Sequence, residues 1–177
     1  MQSDSSSSSN PPSNNPGTPV LFPIPQAGIS EVLGLLEILD DRKGKEKVYT
    51  LARDLNFDFS KLLLVIKAAE MFDFVYTPGT DVVLKALGKK VIEIDMNAKK
   101  KIVLNQLRKI PLFQHFKSHL LTHDDKRMSK KDFLEICAEA LPKEIPDHVF
   151  DTAINWGRYA EFLGYSSDDD FVYLDQG

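Results

Sequence analysis

Cysteine is almost missing from this chain. Cys137 is the only one in 177 residues, which excludes an internal disulfide and any multi-cysteine metal site. No run approaches the about 18 apolar residues that a bilayer-crossing helix needs. Met1 is followed by serine, asparagine and proline, with no basic segment leading an apolar run, so no secretory signal is expected. The same stretch carries Asp4 and no arginine, which disfavours an organellar transit peptide. Positive charge is not in excess: 22 Lys and Arg stand against 26 Asp and Glu, a net charge of −4. A basic surface normally supplies nucleic-acid affinity, so the balance argues against a whole-chain fit to DNA or RNA. There is no Gly-x-x-x-x-Gly-Lys-[Ser/Thr] loop, and the chain does not cradle nucleotide phosphates in that way. No serine, cysteine or carboxylate constellation has catalytic spacing, and a non-enzyme without a cofactor is expected.

What is present is helical periodicity and a weak internal repeat. Ala69-Glu70-Met71-Phe72-Asp73-Phe74 recurs as Ala160-Glu161-Phe162-Leu163-Gly164-Tyr165, an offset of 160 − 69 = 91 residues. Each copy ends a helical run and precedes two short apolar stretches around a turn, the first at Pro78-Gly79-Thr80-Asp81 and the second at Ser166 to Asp170. Helix, tight stop and two-stranded wing is the ending of a winged helix, and two such endings predict a tandem of that unit.

Along the chain, residues 1–19 are serine-, asparagine- and proline-rich and have too little to bury to offset the entropy of ordering. Val20 to Pro25 is apolar but interrupted by Pro23 and Pro25, hence extended. Ser30 is the expected cap of a first helix with Ile29, Val32, Leu33 and Leu36 on one face. A second helix is predicted from Lys45 to Leu55, and a third follows Asp58 or Ser60. Asp73 closes the third where glycine is usual, because aspartate tolerates the left-handed conformation. Ala86 starts a connecting helix with a break near Asp95, and Pro111 separates it from Leu112 to Leu121. Ser129-Lys130-Lys131-Asp132 reads as a capping box. Asp147 caps a last long helix that Gly164 ends.

Several blocks resemble the AAA-associated C-terminal domain of ABC-transporter ATPases. They are Ile29 to Glu37, Tyr49 to Leu55, Val65 to Val75, Ala86 to Lys89, Ile110 to Phe113 and, most specifically, Asn155-Trp156-Gly157-Arg158-Tyr159-Ala160-Glu161. The resemblance spans about Ile24 to Leu174. It implies a winged-helix-like fold and an accessory or regulatory role on the ATPases of nitrate-, sulfonate- and taurine-type importers. It carries no catalytic residues with it. Asp73 departs from the glycine usual in that family. With no phosphate loop in these residues, the expected action is in trans.

Three sets of side chains invite a binding role. His115, His119 and His123 fall at i, i+4 and i+8 with Asp124 and Asp125 next, a spacing that could share a metal such as Zn²⁺. Phe116 and Leu120 each follow a histidine, so the plainer reading leaves the imidazoles at the edge of a buried stripe. From Lys85 to Lys131, thirteen basic residues, Lys99, Lys100 and Lys101 among them, oppose four acids. That stretch could contact nucleic acid, lipid headgroups or an acidic partner, or be a solvated helix face. Trp156, Arg158 and Tyr159 are residue types that anchor interfaces. The plainer reading packs Trp156 between the two units and pairs Arg158 with a carboxylate.

The expected architecture is therefore mainly α: tandem winged-helix-like units joined by helices, with short β-hairpin wings. Its parts are a low-complexity tail at 1–24, a first unit at 25–85, connecting helices at 86–125 and a second unit at 126–177. The expected function is a non-catalytic accessory protein that docks on an ABC importer ATPase or permease from the cytoplasmic side, peripheral to the membrane, with homodimerisation as a further expectation. The alternative is a DNA-binding transcriptional regulator. It is the weaker reading, because the helices that would read the groove carry apolar or acidic residues (Leu62 to Leu64; Asp147, Asp151) and the second wing carries Asp168-Asp169-Asp170. A metal-responsive protein using the histidine row is the third.

Overall fold

The computed structural model describes residues 20–55 and 58–175. Residues 1–19 of the expected tail lie outside them. The described chain is mainly helical, with α1 (Ile29–Asp41), β1 (Lys45–Lys47), α2 (Val48–Asp54), α3 (Phe59–Met71), β2 (Val75–Tyr76) and β3 (Asp81–Leu84) in its first part. Two helices follow, α4 (Ala86–Glu93) and α5 (Met96–Leu107). The remainder comprises α6 (Pro111–Leu120), β4 (Arg127–Ser129), α7 (Lys130–Ala140), α8 (Pro146–Tyr159), β5 (Leu163–Ser166) and β6 (Phe171–Leu174). Two antiparallel sheets form, ordered β1-β3-β2 and β4-β6-β5.

The elements before α4 and after α5 run in the same order: helix, strand, helix, helix, hairpin. Equivalent hydrogen bonds close both sets. Val48 N–H donates to the Thr80 carbonyl (3.0 Å) and Lys130 N–H to that of Asp170 (2.9 Å). Leu84 N–H donates to Gly44 (2.8 Å) and Leu174 N–H to Lys126 (3.2 Å). At each helix stop, Phe74 N–H reaches the Ala69 carbonyl and Phe162 N–H that of Gly157, both at 2.9 Å. The spacing is thus 126 − 44 = 82 residues near the first strands and 162 − 74 = 88 at the stops. It corrects the expected register of 91. The left-handed residue after α8 is Glu161 (φ 55°), the counterpart of Asp73 (φ 62°), and not Gly164. Gly164 lies in β5 for another reason: a Cβ there would come within 2.2 Å of the Tyr173 ring.

The sheets are three-stranded rather than two-stranded. Lys45–Lys47, expected to begin a helix, pairs instead with β3, Glu46 opposite Val82. Three charged residues have no apolar period of their own. The open edge of the hairpin, a tertiary partner, decides their conformation. Helix caps shift similarly. Gly28, not Ser30, caps α1: the Glu31 carboxylate accepts from Gly28 N–H (2.7 Å), and Asn155 of α8 accepts from Ile29 N–H (2.9 Å). Asp58 caps α3, Asp95 caps α5 and Ser129 caps α7 as their residue types favour. Asp147 falls inside the first turn of α8, with Pro146 at its opening position.

One core runs through both sets of elements. Trp156 lies 4.7 Å from Phe72 and 6.1 Å from Phe113 between ring centres. Phe116 contacts Phe133 (4.6 Å) and Phe133 contacts Phe150 (5.9 Å). The end of α3 is thereby joined to α6, α7 and α8 through one indole. Residues 24–28 lie between α3 and α8. The Gln26 side chain meets His148 (3.0 Å), Lys61 donates to the Gln26 carbonyl (3.3 Å), and Trp156 Nε1 donates to that of Ala27 (2.7 Å).

Candidate functional site

Helix α5 buries Val103, Gln106 and Leu107 against the core. Its outward stripe is Asn97, Lys101, Leu104, Asn105 and Arg108, spaced i, i+4, i+7, i+8 and i+11. With Lys100 and the end of α8 at Ala160 and Glu161, this stripe lines a groove of about 460 Å³. Half-buried Leu104 is its main apolar lining, Ala160 being only 1% exposed, and cations, amides and the Glu161 carboxylate line the rest. Met96, 57% exposed, stands near the same end and accepts from the Tyr159 hydroxyl at 3.7 Å.

The cations of the groove are not equivalent. Lys100 Nζ is 2.5 Å from the Glu161 carboxylate, which raises the lysine pKa by hydrogen bonding and by charge. That pair ties α5 to the left-handed stop of α8, as Lys85 ties to Asp73 in the first set of elements. Lys101 and Arg108 are exposed and have no carboxylate within 4.0 Å among the described residues. Lys99 is half-buried and likewise has no acidic partner there.

The other sequence candidates separate. Trp156 is fully buried and cannot anchor a partner. It packs between the two sets of elements, as its plainer reading held. Arg158 is exposed but donates to the Tyr165 carbonyl rather than pairing with a carboxylate. Tyr159 is half-buried, and desolvation pushes its phenol up. His115 and His119 stack edge to face on α6, 4.5 Å between ring centres, while Phe116 and Leu120 are fully buried beside them. Desolvation first and the His119 charge second lower the His115 pKa. His123 lies beyond the end of α6, which stops at Leu120, so the expected third position of the row is not helical. Among the described residues, no three His, Cys, Asp or Glu side chains gather as metal ligands.

A second cavity of about 470 Å³ lies between α3 and the α5–α6 turn, lined by Phe22, Met71, Gln106, Ile110 and neighbours. Its one buried polar side chain, Gln106, accepts from Lys109 Nζ at 3.1 Å. Among the described residues, no helix is long and apolar enough to cross a membrane. Sequence reasoning singled out Lys99 to Lys101, counted Arg108 only as one of thirteen basic residues, and passed over Asn97 and Asn105. The signal available was their shared helical stripe.

The family model of the C-terminal AAA-associated domain matches residues 49–166, two thirds of the chain. The chain belongs to that family. No curated protein and no solved structure matches it. Every residue lining the groove falls within the matched stretch of this AAA-associated protein, whereas α1, β1 and residues 20–28 fall outside it.

Proposed function

We propose that this AAA-associated protein is a non-catalytic accessory or regulatory module. It docks on the ATPase or permease of an ABC importer, in trans and from the cytoplasmic side. Membership of the AAA-associated family carries the reading. The groove on α5 supports it, because it offers unpaired cations beside apolar surface, which suits protein contact better than small-molecule chemistry. Each set of elements is a winged-helix-like unit in this reading, given the helix-strand-helix-helix-hairpin order and the third strand added to each hairpin. The second unit then begins at α6, and α4 and α5 form the connection.

The DNA-regulator alternative has less in its favour. The outward side of α8 presents Asp147, His148, Asp151 and Asn155, and Ser167 to Asp170 are exposed and acidic. The segment around Gln26 and Ala27 already bonds to α3 and α8, the helices that would have to enter a groove. The test is affinity capture of the tagged chain from detergent-solubilised cells. Recovery of an ABC ATPase or permease supports the proposal. Return of the chain alone, or with nuclease-sensitive DNA, refutes it. Homodimerisation is checked separately by sedimentation velocity.

A further inference from the structure

Resting on the reading of this chain as a protein-contact module, we infer that the α5–α8 groove receives a short acidic segment of a partner protein. Two of the partner's carboxylates would sit on Lys101 and Arg108, with an apolar side chain between them over Leu104.

The charge argument comes first. Some cations elsewhere are used internally: Arg42 binds Glu46 and Asp54 at 3.0 Å each, Lys45 binds Asp81 at 2.6 Å, and Lys61 binds Glu31 at 3.0 Å. Lys67, Lys90 and Lys117, by contrast, are exposed and have no carboxylate within 4.0 Å among the described residues. What sets the groove apart is that two such cations line one concavity. In the groove, Glu161 is satisfied by Lys100, and Lys101 and Arg108 are left over. The groove therefore carries an uncompensated positive charge in a chain whose net charge is −4. A guanidinium presents a planar fork that matches a carboxylate.

The remaining lining separates a peptide from a phosphate. Asn97 and Asn105 each offer a donor and an acceptor, which peptide backbone uses, whereas a phosphate takes donors only. Half-buried Leu104 gives an apolar side chain a place. Spacing sets the register. Lys101 and Arg108 are seven residues apart on a helix, about 10 Å of rise. An extended segment turns every second side chain to one face at about 3.3 Å per residue, so carboxylates at i and i+4, about 13 Å apart, flank an apolar residue at i+2, and the long Lys and Arg side chains take up the difference. The motif that fits is Asp/Glu-x-apolar-x-Asp/Glu.

The probe is a synthetic peptide, acetyl-Ala-Glu-Ala-Leu-Ala-Glu-Ala-amide, titrated into the ¹⁵N-labelled full chain at about 50 mM salt, where exposed charges are weakly screened. Amide shifts are expected at residues 97–108 and 159–161. In the exposed double variant Lys101→Glu/Arg108→Glu the dissociation constant should rise by at least about tenfold, as expected for two reversed contacts. The variant Lys131→Glu/Lys143→Glu makes the same charge change at exposed sites outside the groove lining and should leave binding within about twofold. Circular dichroism checks that both variants are folded. Equal weakening in the two variants, or shifts centred outside the groove, overturns the inference. Tighter binding of a duplex DNA or of inorganic phosphate than of the peptide also overturns it. So does self-association that the groove variant abolishes, since that would give the groove to a second copy. Should the peptide bind as expected while capture from cells yields no transporter component, the importer reading falls and the groove stands.

Discussion

Replacing Trp156 with phenylalanine separates a structural indole from an interface anchor. The side chain is fully buried, and its Nε1 donates to the Ala27 carbonyl at 2.7 Å. Trp156→Phe removes that donor and leaves a carbonyl on a 4%-exposed residue without it, a cost of about 1–3 kcal/mol. It also vacates the space of one ring against Phe72 and Phe113, which adds roughly 1 kcal/mol on the scale where whole aromatic deletions cost about 3–5 kcal/mol. The expected total is about 2–4 kcal/mol, a large share of the roughly 5–15 kcal/mol that holds such a protein folded. Melting should fall by roughly 5–15 °C for a chain of this size. Urea denaturation followed by far-UV circular dichroism reads the change, because the variant has no tryptophan to report by fluorescence. Removing residues 1–28 in both backgrounds completes a cycle: the two changes should couple by about 1 kcal/mol, since they delete the two ends of one hydrogen bond. A loss below about 0.5 kcal/mol for Trp156→Phe would refute the reasoning. Full stability with loss of partner binding would restore the anchor role.

Three further outcomes follow from single residues. Gly34 and Gly157 are both helical, and alanine is favoured over glycine in helices by about 1 kcal/mol. A Cβ at Gly34 meets nothing within 4 Å, whereas one at Gly157 lies 2.6 Å from Leu163 Cβ. Gly34→Ala should therefore stabilise by about 0.5–1 kcal/mol and Gly157→Ala should destabilise by about 1–3 kcal/mol, opposite signs in the same urea assay. Burial pushes the Cys137 thiol up to about 12, so a disulfide reagent at neutral pH should label it only after denaturation. The folded state favours neutral His115, so the unfolded chain takes up that proton more readily and stability should decline as pH falls through about 6.5. An NMR titration should place the His115 midpoint below that of a free histidine, and His119→Gln should move it part of the way back.

Much of the helical pattern was legible because it depends on local chemistry. Asp58, Asp95 and Ser129 cap their helices by accepting from nearby backbone N–H groups, and Asp73 accepts the left-handed stop. Pro111 opens a helix as its fixed φ favours, whereas α8 opens already at Pro146, so Asp147, expected as its cap, falls inside the first turn. The misreadings sit where a distant partner decides. Lys45–Lys47 is a strand because β3 has a free edge, and Ser30 loses the cap of α1 to Gly28 because Glu31 and Asn155 supply the acceptors. The repeat was visible, but two identities in six positions put it three residues out of register at the stop. Glu161 was hidden because glutamate rarely takes positive φ, and Lys100 stands against its carboxylate.

The candidate site divides in the same way. Lys99, Lys100 and Lys101 were visible as charge, and the block from Trp156 to Glu161 as a family signature. Sequence could not tell that Lys100 is consumed by Glu161 while Lys101 and Arg108 stay free, or that Trp156 faces inward. By itself the sequence determined most of the helices, the left-handed stop at Asp73, the family and the excess of cations between the two sets of elements, all consequences of residue type at short range. Only the tertiary structure decided which cations are spent, which aromatic is core, and that α5 and the end of α8 come together into one groove. Those outcomes depend on which surfaces meet across some sixty residues of chain, 161 − 100 in the case of the lysine and its glutamate, a distance no local pattern encodes.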